Sequence, residues 1–376
     1  MYTQLIGSLQ KNVVLPLEKV ANKVFTQSYN PFYYHGALPN FFIWVLFISG
    51  LLLFAYYTPT LERAYNTLSY ITHELPFGNA IRSMHRYASD GMMIFVMLHM
   101  LRVWFTDRYR EYRILPWLTG VILLSITFTI GLSGYMMIWD QEAVTLTYIT
   151  ANFLKQFPVI GPSLSSLLLG GELVSDFTLT RLLFLHLGIP LLLMFFLWMH
   201  YLRITRPVTD PPLALNLVLL GGLFLFCGVF PVSLGDRPNL QLVSPTLDLS
   251  FLYAWPQYLI TQGWSTGVVW LLVLGVPVGL LILPYIQKKA LRGQFAQVLD
   301  SSCTGCSLCY HDCPYEAITM VDRNDPTSRF KRLAIVDPGR CANCGLCVGA
   351  CAFKAIEIPR RDSQDVLKEI EMALNS

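Results

Sequence analysis

Four histidines and eight cysteines carry the chemistry that this 376-residue chain can do. His85 and His99 lie fourteen residues apart, and so do His186 and His200. Fourteen helical residues advance about 21 Å, nearly four turns, so both members of each pair share a face. On two helices running in the same direction, His85 can face His186 and His99 can face His200. Imidazole is an axial ligand of haem iron, so two bis-histidine haem sites stacked across a membrane follow. A hydrogen bond in a polar pocket would explain one buried histidine but not two pairs at matched spacing. Ionisable residues inside a membrane also default to functional sites. Gly36 and Gly50, and Gly120 and Gly134, repeat the spacing of fourteen. Glycine lets a flat macrocycle approach a helix backbone, with close helix packing as the other explanation.

The cysteines form two runs. Cys303, Cys306, Cys309 and Cys313-Pro314 spell C-x2-C-x2-C-x3-C-P. Cys341, Cys344, Cys347 and Cys351 repeat the spacing, with Ala352 in place of the proline. In such runs the fourth cysteine ligates the other cubane. One 4Fe-4S cluster is then held by Cys303, Cys306, Cys309 and Cys351, the other by Cys341, Cys344, Cys347 and Cys313. The alternative metal is zinc, which pairs two C-x2-C knuckles across a longer spacer. The ninth cysteine, Cys227, reads as core, and His73 and His311 as incidental. The segment 321–340 reads as a solvated loop, with a docking surface as the second reading.

Composition says which elements must position these groups. Apolar residues make up 54% of the chain and charged residues 14%, against roughly 25% charged in soluble domains. That excludes a disordered chain and a dedicated nucleic-acid binder. Charge is uneven: 28 of the first 285 residues are charged, and 23 of the last 91. The expected division is an N-terminal interfacial helix (1–29), a membrane domain (30–285), a linker (286–299), a small α+β domain (300–360) and a C-terminal amphipathic helix (361–376). Residues 1–30 do not read as a cleavable signal, because Lys11, Lys19 and Lys23 interrupt them. Pro16 is a weak point in that helix. Six apolar stretches, 38–57, 84–105, 115–139, 180–203, 212–234 and 264–285, each approach or exceed the ~20 residues that cross a bilayer. The fold class expected is an all-α membrane bundle of six transmembrane helices followed by the α+β domain. Twelve Lys/Arg flank one end of these spans (among them Arg102, Arg108, Arg110, Arg113, Arg203 and Arg206) and six the other. The positive-inside rule puts the richer end, with the N-terminus and the cysteine domain, in the cytoplasm, where thiols ligate metals rather than form disulfides.

Residues 30–285 resemble the cytochrome b subunit of cytochrome bc complexes, especially the split-chain form. The resemblance rests on Tyr56-Tyr57-Thr58-Pro59-Thr60, Ile81-Arg82-Ser83-Met84-His85-Arg86, the stretch Trp117–Gln141, Pro158-Val159-Ile160-Gly161, and Leu179-Thr180-Arg181 before His186 with Pro190. It implies haem b held by His85/His186 and His99/His200, propionate contacts from Arg82 and Arg181, and quinone chemistry. Residues 300–358 are similar to bacterial two-cluster ferredoxins, including Ala317-Ile318 and Ala355-Ile356 after each run. Departures matter as much. Tyr34 stands where split-chain relatives attach a further haem through cysteine, and the chain has no C-x-x-C-H motif. The outer P-E-W-Y segment of the family aligns with Ser250-Phe251-Leu252-Tyr253, so Phe251 replaces the proton-accepting glutamate. A shifted alignment offers Asp248 but loses the match at Pro256.

The function expected is a membrane redox subunit of a quinone-linked oxidoreductase complex. Electrons would pass between two cytoplasmic 4Fe-4S clusters, two haems b and a quinone near the inner haem, with His35 as the quinone-site candidate. Expected partners are other subunits of the complex, a soluble ferredoxin or flavoprotein inside, a cytochrome c or Rieske-type protein outside, lipid, and a second copy as a homodimer. The expected location is the bacterial inner membrane. The second reading is a wire or anchor linking a cytoplasmic enzyme to a periplasmic cytochrome c or dehydrogenase, with no quinone site. A third, an iron–sulfur sensor, needs no haem pair. Nucleotide- and flavin-binding glycine motifs are absent from the sequence.

Overall fold

The apolar stretches become helices that turn their large side chains outward, the reverse of a soluble core. The computed structural model describes residues 15–105, 109, 113–202, 204, 208–242, 251–286, 295–313, 315–325, 328–338, 340–341 and 345–358. Residues 1–14, Arg203, Arg206, Asp248, the linker positions 287–294, Cys344 and the expected C-terminal helix lie outside the described residues. The helices in chain order are α1 (Leu15–Tyr29), α2 (Pro31–Tyr34), α3 (Leu38–Phe54), α4 (Ala64–His73), α5 (Gly78–Phe105), α6 (Ile114–Met136), α7 (Gln141–Lys155), α8 (Gly161–Leu169), α9 (Asp176–Leu202), α10 (Leu213–Val229), α11 (Phe251–Thr261) and α12 (Thr266–Ile286).

Four of them, α5, α6, α9 and α12, are long and apolar enough to cross a membrane. The other two expected spans, α3 and α10, are apolar helices of 17 residues. Their length of about 25 Å stands at the lower bound for a spanning helix. The stretch 212–234 is cut short because the backbone leaves helical geometry at Phe230. Pro16 falls in the first turn of α1, where a missing N–H costs nothing, so it starts the helix instead of weakening it. Leu17, Val20 and Val24 of α1 are exposed, as an interfacial helix requires.

α3 lies along α5, and α6 along α9. The outer surface carries Phe47 and Leu51 of α3, Phe184, Leu191 and Trp198 of α9, and Leu271 of α12. Such a surface is stable against lipid tails, which are equally apolar. The residues buried between helices are often small or polar, including Ser49, Ser83, Ala88, Thr119, Thr127 and Ser133. Small side chains let the backbones approach, and the hydroxyls of Ser49, Thr119 and Ser133 donate to carbonyls of their own helices. Pro190 of α9 and Pro277 and Pro284 of α12 lie inside helices, which neighbouring helices make tolerable.

The connection after α6 is clamped by its own sequence. Asp140 caps α7, accepting from the Ala143 N–H at 2.9 Å, and its second oxygen accepts from the Gly235 N–H at 3.1 Å. Gln141 donates to the Leu242 carbonyl and accepts from the Asn239 N–H. Two long connections on the same side of the bundle are thereby tied together.

The cysteine domain is a small α+β unit with an internal repeat. β1 (Gln297–Val298) pairs antiparallel with β4 (Ile356–Glu357). β2 (Ile318–Asp322) pairs antiparallel with β3 (Arg332–Val336), with Ile318 opposite Val336 and Asp322 opposite Arg332. α13 (Leu308–Asp312) and α14 (Leu346–Ala350) follow equivalent positions of the two cysteine runs and lie side by side. Most of the segment expected as a solvated loop is therefore a hairpin, because Ile318, Ala334 and Val336 on its inner face join the core.

Candidate metal centres

The geometry starts from α5 and α9. His85 and His186 bring their rings to a centroid separation of 6.3 Å, and His99 and His200 to 6.5 Å. Two imidazoles sharing one metal at about 2.0–2.1 Å per nitrogen, with about 1.1 Å more to each ring centre, need roughly 6.3 Å. Both pairs leave room for one iron, and the fit comes from the protein alone.

Each ring rests against one glycine. A Cβ at Gly50 would lie 3.0 Å from His85 Cε1, one at Gly134 2.7 Å from His186 Cε1, one at Gly36 3.0 Å from His99 Cε1, and one at Gly120 3.5 Å from His200 Cε1. The four glycines thus admit the imidazoles themselves.

Three rings are also held by their Nδ1 atoms. His186 Nδ1 lies 3.0 Å from the Ile130 carbonyl and 3.3 Å from Ser133 Oγ. His85 Nδ1 lies 3.0 Å from Ser49 Oγ, with the Leu46 backbone as a further partner. His200 Nδ1 lies 2.9 Å from Thr119 Oγ1, with the Pro116 backbone as its second partner. A carbonyl can only accept, so Nδ1 carries the proton and the Nε2 lone pair points at the opposite ring. In each case the carbonyl stands four residues before the glycine and the hydroxyl one before it. His99 differs: its Nδ1 has no hydrogen-bond partner among the described residues. Its neighbour is His35, edge to face at 5.0 Å, in the position that a hydroxyl residue holds at the other three glycines.

In the cysteine domain, Cys303, Cys306, Cys309 and Cys351 line one cavity, together with Met320 and Phe353. Burial pushes the Cys309 thiol up to about 11, and Cys351, Cys303 and Cys306 add to the rise. Four thiols this close ionise readily only when a metal takes up the charge. Among the described residues no three ligand side chains converge as one ion needs. Cys313 and Cys347 are buried in the same core, with Cys341 packed against it. The two runs use their last cysteines alike: the Ala317 N–H donates to Cys313 Sγ at 3.3 Å and the Ala355 N–H to Cys351 Sγ at 3.2 Å. Hydrogen bonds to cluster sulfurs are one of the protein's levers on reduction potential.

A family model described as "Cytochrome b/b6/petB" matches residues 20–207, half of the chain. The chain belongs to the cytochrome b/b6 family. A model described as "4Fe-4S dicluster domain" matches residues 302–355, so a dicluster ferredoxin domain follows the cytochrome b domain. Cytochrome b6 of Acaryochloris marina is 35% identical over 204 residues, spanning 53% of this chain and 95% of that relative. Cytochrome b6 of Prochlorococcus marinus strain MIT 9303 is 36% identical over 197 residues, 52% of this chain and 90% of its own. A solved structure titled "Hyperthermophilic respiratory Complex III" superimposes with a TM-score of 0.59 at 19% identity, over 76% of this chain and 83% of its own. That likeness speaks to fold. The family carries haem b and the dicluster domain carries 4Fe-4S clusters, so this is an integral membrane electron-transport protein.

Other expected site residues of the cytochrome b domain have different surroundings. Arg82 is buried and donates to Thr72 Oγ1 at 3.1 Å and to the carbonyls of Val232 and Ser233. Arg181 donates to the carbonyls of Ser166 and Leu167 at the end of α8. Each guanidinium has five N–H donors; Arg82 uses them on the end of α4 and the 232–233 connection, Arg181 on the last turn of α8. Cys227 is buried, as a core residue should be. Sequence reasoning missed a polar cluster between α5, α6 and α11. Arg86 pairs with Asp90 and donates to the Tyr135 hydroxyl, with its guanidinium 4.6 Å above that ring. Tyr253 is buried against Gly131, and its hydroxyl donates to the Ser89 carbonyl at 2.6 Å. The available signal was an acid four residues after an arginine inside an apolar span.

Proposed function

We propose that this chain is a redox subunit of a multi-subunit, quinone-linked membrane complex, holding two haems b and two 4Fe-4S clusters. His85 and His186 would ligate one haem, His99 and His200 the other. Cys303, Cys306, Cys309 and Cys351 would ligate the first cluster, and Cys341, Cys344, Cys347 and Cys313 the second. When bound, these groups supply one-electron carriers. The chain's own residues fix imidazole orientation and tautomer, exclude water and set sulfur hydrogen bonds. The observation that carries the reading is the pair of imidazole gaps, each the width of a shared iron, on one pair of helices.

In this reading the His99–His200 pair is the inner one, on the cytoplasmic side with the dicluster domain, in a bacterial inner membrane. The division into 1–29, 30–285, 286–299, 300–360 and 361–376 belongs to the same proposal. A quinone near the inner haem would meet His35, which already abuts His99. A soluble ferredoxin or flavoprotein would serve the clusters, and a cytochrome c or Rieske-type protein the outer face. The wire reading draws support from the outer side, where the Tyr253 ring fills the space beside Gly131 and its hydroxyl is taken by Ser89. The experiment is to purify the full chain, assay about eight iron and eight sulfide beyond haem iron, and titrate it with a menaquinol analogue. Reduction of one haem, sensitive to an inhibitor, is expected. Zinc in place of iron, or no haem reduced by quinol, overturns the cluster or the quinone reading respectively.

A further inference from the structure

Arg113 sits at the start of α6 and reaches out of the cytochrome b domain. Its Nη2 donates to the Arg340 carbonyl at 3.0 Å, and its guanidinium lies 5.1 Å above the Tyr315 ring. Both partners belong to one half of the dicluster domain. Arg340 immediately precedes Cys341, and Tyr315 follows Cys313 by two residues. The acceptor is held in place: Arg340 pairs with Asp337 at 3.4 Å, and the N–H groups of Arg340 and Cys341 both donate to the Asp337 carbonyl.

The other end of the same helix segment is the cradle of His200. The carbonyl of Pro116 and the hydroxyl of Thr119 hold His200 Nδ1. Thr119 stands six residues after Arg113, about 9 Å along the helix. A continuous bonded path therefore runs from Cys341 through the Arg340 carbonyl and Arg113 into α6, and on to the imidazole of His200. Cys303, Cys306 and Cys309 precede this junction in sequence and line the separate cavity.

We infer that Arg113 docks the Cys313/Cys341 half of the dicluster domain onto the start of α6, making the second cluster the electron partner of the inner haem. The first cluster is then the port for a soluble carrier. The transfer is one electron from the reduced second cluster, which returns to its oxidised level, to the ferric inner haem, which becomes ferrous; no proton moves and no bond breaks. This rests on the haem and cluster assignments proposed above. A planar guanidinium can bond a carbonyl and cover an aromatic face at once, which lysine cannot match.

The test uses the full chain in detergent or liposomes, with cluster and haem content measured first. Flash photoreduction by a deazaflavin reports the rate at which the inner haem is reduced from the clusters. Hydrogen exchange of segments 313–317 and 337–341 reports docking independently of any electron transfer. Arg113→Ala should slow haem reduction at least tenfold and raise exchange in both segments, while Arg113→Lys recovers only part. Tyr315→Leu, which leaves every proposed ligand in place, should do the same in milder form and serves if Arg113→Ala does not fold. If wild-type chain transfers electrons and neither variant changes rate or exchange, the docking inference is wrong. If wild-type clusters never reduce the haem, the proposed function itself fails.

Discussion

The two histidine pairs look equivalent in the sequence and are not equivalent in the fold. Both imidazoles of the His85–His186 pair meet a carbonyl, a hydroxyl and a glycine, at positions −4, −1 and 0 of a helix turn. His200 meets the same arrangement from Pro116, Thr119 and Gly120. His99 does not, because Gly36 lies in the turn between α2 and α3 instead of inside a helix, and the residue before it is His35. Identical spacing along the chain gives an identical face only while the helix continues. The His99–His200 pair therefore has one imidazole held by a hydroxyl and one flanked by a second imidazole. That asymmetry sits at the end of the bundle where Arg113 meets the dicluster domain.

The largest effect separates the pairs outright. His186→Ala should remove one haem and leave the other, halving the haem-to-protein ratio measured as the pyridine haemochrome. His200→Ala should do the reverse, and the two variants should retain spectrally different haems. Loss of both haems from either variant, or retention of both, would break the assignment of ligands to pairs.

A smaller effect tests the glycines. A Cβ at Gly134 would stand 2.7 Å from the His186 ring, whereas one at Gly120 would stand 3.5 Å from His200, an ordinary contact. Gly134→Ala should therefore cost about 1–3 kcal/mol of overpacking, read as lower haem occupancy and a lower melting temperature. Gly120→Ala should keep haem content and melting temperature close to the parent. Equal damage from both would mean that something other than the imidazoles requires these glycines.

Much of this was legible in the sequence because the signals are periodic. His85, His99, His186 and His200 needed only the helical rise, and the cysteine runs only their spacing. What stayed illegible depends on tertiary register. Ser49, Thr119 and Ser133 look like ordinary helix hydroxyls until a facing helix brings an imidazole to them. Arg82 and Arg181 read as anion-binding by resemblance, and their partners in the fold, the Ser233 carbonyl and the carbonyls at the end of α8, are ones that no sequence pattern announces. Asp90 was visible but was averaged into a low charge count, so its pairing with Arg86 went unread. The hairpin of β2 and β3, which takes up much of 321–340, was hidden by the polar residues between its strands, although Ile318, Ala334 and Val336 bury one face as a half-buried strand pair should.

The smallest effect probes the asymmetry itself. An Nδ1–H donated to an acceptor pushes electron density onto the imidazole and favours ferric iron, lowering the potential of the haem it ligates. One hydrogen bond is worth about 1 kcal/mol, and a one-electron couple moves 59 mV per tenfold change in equilibrium, so one such bond corresponds to about 40 mV. Thr119→Ala weakens the hold on His200 and should raise the inner-haem potential by up to that amount, leaving the outer haem unmoved. His35→Ser installs at Gly36 the hydroxyl that the other three cradles possess, and should lower the inner-haem potential by a comparable amount. Redox titration of the purified variants, monitored at the haem bands, measures both shifts. His35→Ser also divides the two roles proposed for that residue. A shift that persists without quinone assigns it to His99, whereas a change seen only in the quinol titration assigns it to the quinone. Shifts of the wrong sign in both variants would show that the hydroxyl positions do not govern ligand strength, and that the difference between the two pairs lies elsewhere.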